Sequence, residues 1–262
     1  MTRKNLAGAA AVLALFVSAP LALRAGPPYI TDDPEPVEYK HWEVYLASQL
    51  SRDAAQWSGT LPQVEVNYGA APNLQLHIIA PLSFARPAGG PFRCGNGATE
   101  LGAKYRFIQE TDSRPQVGAF PLVEAPTADR AKGLGTAYTP VFLPLWLQKT
   151  IGQWQTYGGG GYWFNPGAGN RDFLQAGWQA QYNIDERWSP GAEIFYMSPQ
   201  TDDGSARVSF NLGLVVNITD NHHVMAAIGR DFHGPALAQS YLAYQLTFGP
   251  GEGQEPRRLW SR

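Results

Sequence analysis

The stretch Phe173–Ile184 reads FLQAGWQAQYNI, and its apolar residues fall on every second position. Leu174, Ala176, Trp178, Ala180, Tyr182 and Ile184 share one face, while Gln175, Gly177, Gln179, Gln181 and Asn183 share the other. Successive side chains of a β-strand point to opposite faces, so a period of two marks a strand with one apolar and one polar side. Its length is informative as well. Strands of soluble proteins commonly run about 5–6 residues, whereas a tilted strand needs roughly 9–11 to cross a bilayer.

The pattern recurs along the chain. Val208, Phe210, Leu212, Leu214, Val216 and Ile218 oppose Ser209, Asn211, Gly213, Val215 and Asn217, and Leu242, Tyr244, Leu246 and Phe248 oppose Tyr241, Ala243, Gln245 and Thr247. Three earlier segments put charge on the polar face: Glu43 opposite Trp42 and Val44, Glu65 opposite Val64 and Val66, and Glu100, Lys104 and Arg106 opposite Leu101, Tyr105 and Phe107. Strand cores are expected at 41–50, 62–69, 73–84, 99–109, 115–123, 138–148, 152–164, 173–184, 187–197, 207–218, 222–232 and 238–248. The fold class expected is therefore all-β, a closed antiparallel transmembrane β-barrel of about twelve strands, with ten and fourteen as the neighbouring counts. Pro121, Pro140 and Pro144 interrupt two of these segments and call for a bulge, a rim or a site lined by water or protein. Pro87–Pro91, Asn96-Gly97, Asn165-Pro166-Gly167, Asp202-Asp203-Gly204 and Asp220-Asn221 supply turns. Trp57, Trp146, Trp154, Trp163, Trp178 and Trp188 are expected in two aromatic girdles at the membrane interfaces, with Tyr182 beside Trp188 in one of them.

Composition agrees. Among 262 residues, 28 Gly and 21 Pro suppress helices, and 12 Tyr, 12 Phe and 8 Trp suit strands and interfaces. Arg3 and Lys4, the apolar run Leu6–Leu23 and small Ala25 read as a secretory signal peptide, expected over 1–25. Segment 26–40 is then a periplasmic or lumen-plugging N-terminal segment, 41–248 the outer-membrane barrel, and 249–262 a polar tail expected to be disordered. Setting 1–25 aside from the 262 residues leaves 237, with 17 basic and 22 acidic residues and a net charge of −5, which argues against a nucleic-acid partner. Cys94, the only cysteine, is expected in a loop and excludes both an intramolecular disulfide and a cysteine zinc cluster.

The polar face is where solutes would be met. Glu43, Glu65, His77, Glu100, Lys104, Arg106, Gln175, Gln179, Gln181, Glu193, Asn211 and Arg230 are expected to point into the lumen and are the solute-path candidates. Both signs occur, so they can pair in a narrow interior, and Glu100, Lys104 and Arg106 are the leading candidates for a network controlling passage. No catalytic residue, metal ligand or cofactor is assigned. Gly158–Gly161 lacks the Gly-Lys-Ser/Thr ending of a phosphate loop and reads as close backbone approach or wall curvature. Asp32, Asp33, Glu35 and Glu38 lack the spacing of a calcium loop and read as part of the N-terminal segment. His222 and His223 point to opposite faces and cannot easily converge on a metal. His77 and Ser209 share the polar side without any nucleophile signature around them, which leaves a barrel hydrolase as a minor alternative.

Three stretches resemble a known family: GPPYITDDPEPVE at 26–38 with His41-Trp42-Glu43, ELGAKYRF at 100–107 with PQVGAFPLVEAP at 115–126, and FLPLWLQK at 142–149 running on through Tyr157–Trp163. They are similar to predicted proteobacterial outer-membrane proteins named after the meta-cleavage pathway of phenol degradation. The resemblance implies a barrel in the bacterial outer membrane and the passive passage of small, hydrophobic or aromatic solutes. It transfers no ligand residue. The partners expected are outer-membrane lipids, a small solute and the outer-membrane insertion machinery, and the sequence does not set an oligomeric state. The alternatives are a structural or envelope-maintenance barrel with a filled lumen and, from another class, a secreted soluble β-sandwich that binds a ligand.

Overall fold

The computed structural model describes residues 28–250. The expected signal peptide and most of the expected tail lie outside these residues. Fourteen strands form one antiparallel sheet: β1 (Trp42–Arg52), β2 (Gln56–Ala71), β3 (Leu74–Pro87), β4 (Arg93–Asn96), β5 (Thr99–Ile108), β6 (Gln116–Ala119), β7 (Leu122–Ala125), β8 (Val141–Ile151), β9 (Trp154–Phe164), β10 (Phe173–Tyr182), β11 (Trp188–Met197), β12 (Arg207–Thr219), β13 (His222–His233) and β14 (Ala238–Phe248). β6 and β7 lie end to end between β5 and β8 and make one stave, broken at Phe120-Pro121. β4 pairs with β3 beyond the start of β5 and adds no stave. Twelve staves remain, and the β1–β14 ladder from Trp42↔Phe248 to Arg52↔Ala238 closes the ring.

All twelve expected strands are present, and the departures have physical causes. β2 begins six residues before the expected 62, because its register against β3 shifts between Thr60 and Gln63. The shift inverts the alternation: Trp57 and Leu61 face out before it, Val64 after it. Cys94 sits in the short strand β4 rather than in a loop. At the Pro121 break the freed backbone is recovered, since Ala103 N donates to Pro121 O at 3.2 Å.

The start of β1 and the end of β14 meet at one end of the barrel, where Trp42 packs on Tyr68 at 4.2 Å and lies 6.4 Å from Phe248. The links 72–73, 152–153 and 220–221 are short and lie at that same end, while 126–140, 165–172 and 198–206 are longer and lie at the other. Outer-membrane barrels keep short turns in the periplasm and long loops outside, which orients the molecule. The outer wall exposes Leu46, Ile78, Leu145, Leu174, Leu212, Ile228 and Leu242. Lipid is the solvent that covers such a band. Trp154 packs on Tyr182 at 4.9 Å in the periplasmic girdle. Two expected girdle members are elsewhere: Trp146 and Trp163 are 1% and 5% exposed and point into the lumen. On β8 both faces are apolar, with Leu143, Leu145 and Leu147 outward and Phe142 and Trp146 inward, so hydropathy could not set the direction.

Candidate functional site

Residues 28–37 carry three prolines and form neither helix nor strand, so their backbone groups need other partners. Inward-facing side chains of the wall supply them. Ile30 N and Thr31 N donate to the two Glu193 carboxylate oxygens at 2.9 and 2.8 Å, and Val37 N donates to Gln75 Oε1 at 2.9 Å. Because Glu193 is on β11 and Gln75 on β3, the segment crosses the lumen between opposite walls. Space for it is cut into the wall by glycines. Gly191 and Gly213 are paired across β11 and β12, and a Cβ on either would come within 2.4 or 2.6 Å of the Tyr29 hydroxyl. A Cβ at Gly177 would meet Thr31 Oγ1 at 2.1 Å.

Charge fixes the middle of the segment. Lys104 Nζ donates to Asp32 Oδ1 at 2.9 Å, reaches Asp33 Oδ1 at 3.4 Å and lies 4.9 Å over the Phe120 ring. Enclosure within the barrel pushes the Asp33 carboxyl up to about 6, against the pull of the Lys104 ammonium, while the Asp32 and Glu35 charges add to the rise. Glu35 accepts from Gln116 and Gln148 and lies 3.6 Å from Arg106. Beyond the segment, His77 places its two ring nitrogens 2.6 Å from Asn67 Oδ1 and 3.0 Å from Glu100 Oε1, with Glu65 at 3.7 Å.

Opposite this charged group stands an aromatic one. Phe120, Leu122, Phe142, Trp146, Trp163 and Phe173 pack as one cluster. Phe142 and Trp163 stack at 4.7 Å, Trp163 and Phe173 at 5.7 Å, and Trp163 Nε1 donates to Gln175 Oε1 at 3.1 Å. Between the two groups lies a cavity of about 300 Å³, lined by His77, Glu65 and Glu100 on one side and by Phe142, Trp146 and Trp163 on the other, with Asp32, Asp33, Glu35, Pro36 and Val37 contributing from the segment. Trp146 Nε1, Glu65 Oε2 and Gln148 Oε1 belong to its lining and have no hydrogen-bond partner among the described residues. The site thus offers apolar faces, one donor and two acceptors.

Of the residues expected inward, Glu43, Glu65, His77, Glu100, Lys104 and Gln175 line this cavity. Gln179, Glu193 and Asn211 are buried on the opposite wall, and Gln181 is half-buried beside Asn183. Glu100 meets His77, Lys104 holds Asp32 and Asp33, and Arg106 binds Asn73 and Gln116 and lies 3.6 Å from Glu35, whose own N–H donates to Asp33. Arg230 is a correction. It shares the outer face of β13 with exposed Ile228 and Phe232, and its neighbour Asp231 turns inward to Arg207 and Ser209. Ser209 and His77 therefore engage different partners. His222 meets the Tyr244 hydroxyl and His223 meets Asn217, on opposite faces of the strand. Gly158 makes room for the Trp178 ring on the outer wall. Phe120, Phe142, Trp146 and Trp163 are lumen residues that the sequence reading did not name as such, and Tyr29 entered it only within the periplasmic or lumen-plugging segment 26–40; the double-sided apolar pattern around Pro144 and the paired glycines were the available signals.

The family model described as MetA-pathway of phenol degradation matches residues 62–248. An outer-membrane channel from Pseudomonas putida F1 superposes with a TM-score of 0.68 at 16% identity, covering 82% of this chain and 98% of that one. The KdgM porin superposes at 0.56 with 12% identity over 78% and 99% of the two chains, and the NanC porin at 0.54 with 9% identity over 79% and 100%. At these identities the likeness is one of fold. No curated protein sequence matches the chain.

Proposed function

The chain belongs to that family, and from this premise and the lumen cavity we propose that it is an outer-membrane channel for the passive passage of small, apolar or aromatic solutes. The observation that carries this is the cavity itself, with stacked rings on one side and hydrogen-bonding groups on the other. A cavity of about 150 Å³ suffices for benzene, so one substituted ring fits with room to turn. The unpartnered Trp146 Nε1 and Glu65 Oε2 suit a hydroxyl, which accepts from one and donates to the other. One ring bearing one hydroxyl is also the chemistry named in the family's description. The N-terminal segment acts as a plug across the lumen, held by Glu193, Gln75 and Lys104. Catalysis is no part of this reading.

That same plug favours a second reading, a structural barrel whose lumen is filled. Liposomes containing the purified protein separate the two. Under the channel reading, phenol and small aromatic acids enter faster than into empty liposomes, and more slowly as ring size grows. Absence of flux and of conductance across a panel of phenols, aromatic acids and small sugars would leave the structural reading standing.

A further inference from the structure

The outer wall carries a second built feature at its external rim. Arg52 on β1 is the register partner of Trp57 on β2, and Trp57 is the register partner of Arg86 on β3. All three are exposed on the lipid-facing side, and the Arg52 guanidinium lies 5.1 Å from the Trp57 ring centroid. Their depth follows from β2, which runs from Trp57 to Tyr68 in the periplasmic girdle. At about 3.3 Å per residue and a tilt near 40°, that stretch rises roughly 28 Å, the height of the apolar band plus its rim. Trp57 and its flanking arginines therefore sit at head-group level of the outer leaflet. Below them the same faces carry Leu50 and Leu46, Leu61 and Val64, and Leu82 and Ile78, three apolar strips leading into the bilayer.

No carboxylate is paired with Arg52 or Arg86 among the described residues. The nearby Asp53 is committed to its own turn, accepting from Ala55 N and Gln56 N at 2.7 Å. Two strands further round, Arg230 is exposed on the same outer side, beside its register partner Phe210. β13 and β14 are in register to Gly229↔Gln239, which sets Arg230 across from Ala238, itself the partner of Arg52. The three arginines thus span five adjacent strands, about 19 Å at the usual strand spacing. That is wider than one phosphate needs.

We propose that Arg52, Trp57 and Arg86, extended by Arg230, form a binding site for a phosphorylated lipid of the outer leaflet, with the head-group phosphates on the guanidinium groups and the acyl chains on the apolar strips below. The guanidinium fork matches phosphate oxygens and keeps its charge at any pH met by the membrane. Indole provides an amphipathic floor at the level where chain gives way to head group. The row carries no lysine or carboxylate; Arg52 lies over the Trp57 ring and Arg230 Nε donates to Asp231 O at 3.4 Å, so among the described residues such a lipid displaces no ion pair.

The test uses the purified full-length barrel in detergent, with diphosphoryl lipid A, its dephosphorylated form and inorganic phosphate as probes. Bound lipid is read by native mass spectrometry, and folding by heat-modifiable migration. The wild type is expected to retain the diphosphoryl form and to release the dephosphorylated one. Arg52→Gln with Arg86→Gln lowers the retained fraction by about tenfold or more, each single variant falls between, and the Lys pair loses less than the Gln pair. Arg187→Gln, which alters the guanidinium 5.6 Å from Trp188 in the opposite girdle, leaves retention unchanged. Equal retention by the double Gln variant, equal retention of the phosphate-free lipid, or displacement by inorganic phosphate at equal concentration would overturn the site.

Discussion

From β13 through β14 to β1 the ladders run unbroken, and on the inner face there Ala227, Ala243 and Ala47 pack between Tyr45, Tyr241 and Met225. From β5 to β8 the stave breaks at Phe120-Pro121, β7 pairs with β8 at only two positions, and the inner face carries Phe120, Phe142 and Trp146. The difference ties backbone to lumen chemistry. A complete ladder leaves no polar backbone to screen, so its inner face tolerates alanines between the larger side chains. A broken one exposes peptide groups that water or bulky rings must cover, and the rings that cover it also build one side of the cavity.

Large changes on the broken wall should therefore be felt most. Trp146→Ala removes a fully buried ring and is expected to cost about 3–5 kcal/mol of barrel stability, measured by reversible unfolding in detergent or bilayers. A loss under about 1 kcal/mol would show that the rings do not support this wall. Lys104→Met leaves Asp32 and Asp33 enclosed without their cation, a change worth about 3–5 kcal/mol when a buried pair is broken. Here the energy is taken from docking of the N-terminal segment, so single-channel conductance is expected to rise several-fold. Conductance equal to wild type would remove Lys104 from that role.

Smaller effects are expected away from the broken wall. Gly213→Ala puts a Cβ within 2.7 Å of the Tyr29 ring and costs about 1–3 kcal/mol of segment docking. Combined with Tyr29→Ala the two changes should be less than additive, and strict additivity would separate glycine from tyrosine. Acidity acts through Asp33, which faces Lys104, Asp32 and Glu35. Its carboxyl titrates near 6 when docked and at its ordinary value of 3.8 when free. The docked form therefore holds more protons between those values, docking strengthens as pH falls through 6, and weakens as pH rises through 6. Conductance at pH 5 is expected below that at pH 7.5, and Asp33→Asn should flatten the difference. Tyr241→Phe comes last: its hydroxyl has no partner among the described residues, and stability should move by no more than about 0.5 kcal/mol.

Legibility in the sequence followed the same division. Segments with one polar and one apolar face, such as Phe173–Tyr182 and Arg207–Thr219, declared both their strand state and their direction. β8 declared its strand state only, since Leu143 and Phe142 are equally apolar and a period of two has no sign without a polar partner. Trp146 and Trp163 were consequently assigned to the girdles. Arg230 departs for the opposite reason: the alternation reads a charge in a strand as inward, yet at rim height an outward arginine is solvated by head groups. The pairings of Lys104 with Asp32 and of Glu193 with Ile30 and Thr31 span 72, 163 and 162 positions, and no local pattern encodes a contact of that range.

The segment that crosses the lumen is joined to β1 through Glu38–His41, a few residues with no slack, and Lys40 N is bonded to Gly69 O at 2.7 Å. It is thus a tethered ligand of its own barrel. A short tether holds its effective concentration in the millimolar range or above, so dilution cannot wash it out, and each release is followed by prompt return. A solute contending for the same space works against that concentration with its own affinity, and only one that binds briefly in the adjoining cavity can exchange with the tethered chain without arresting it.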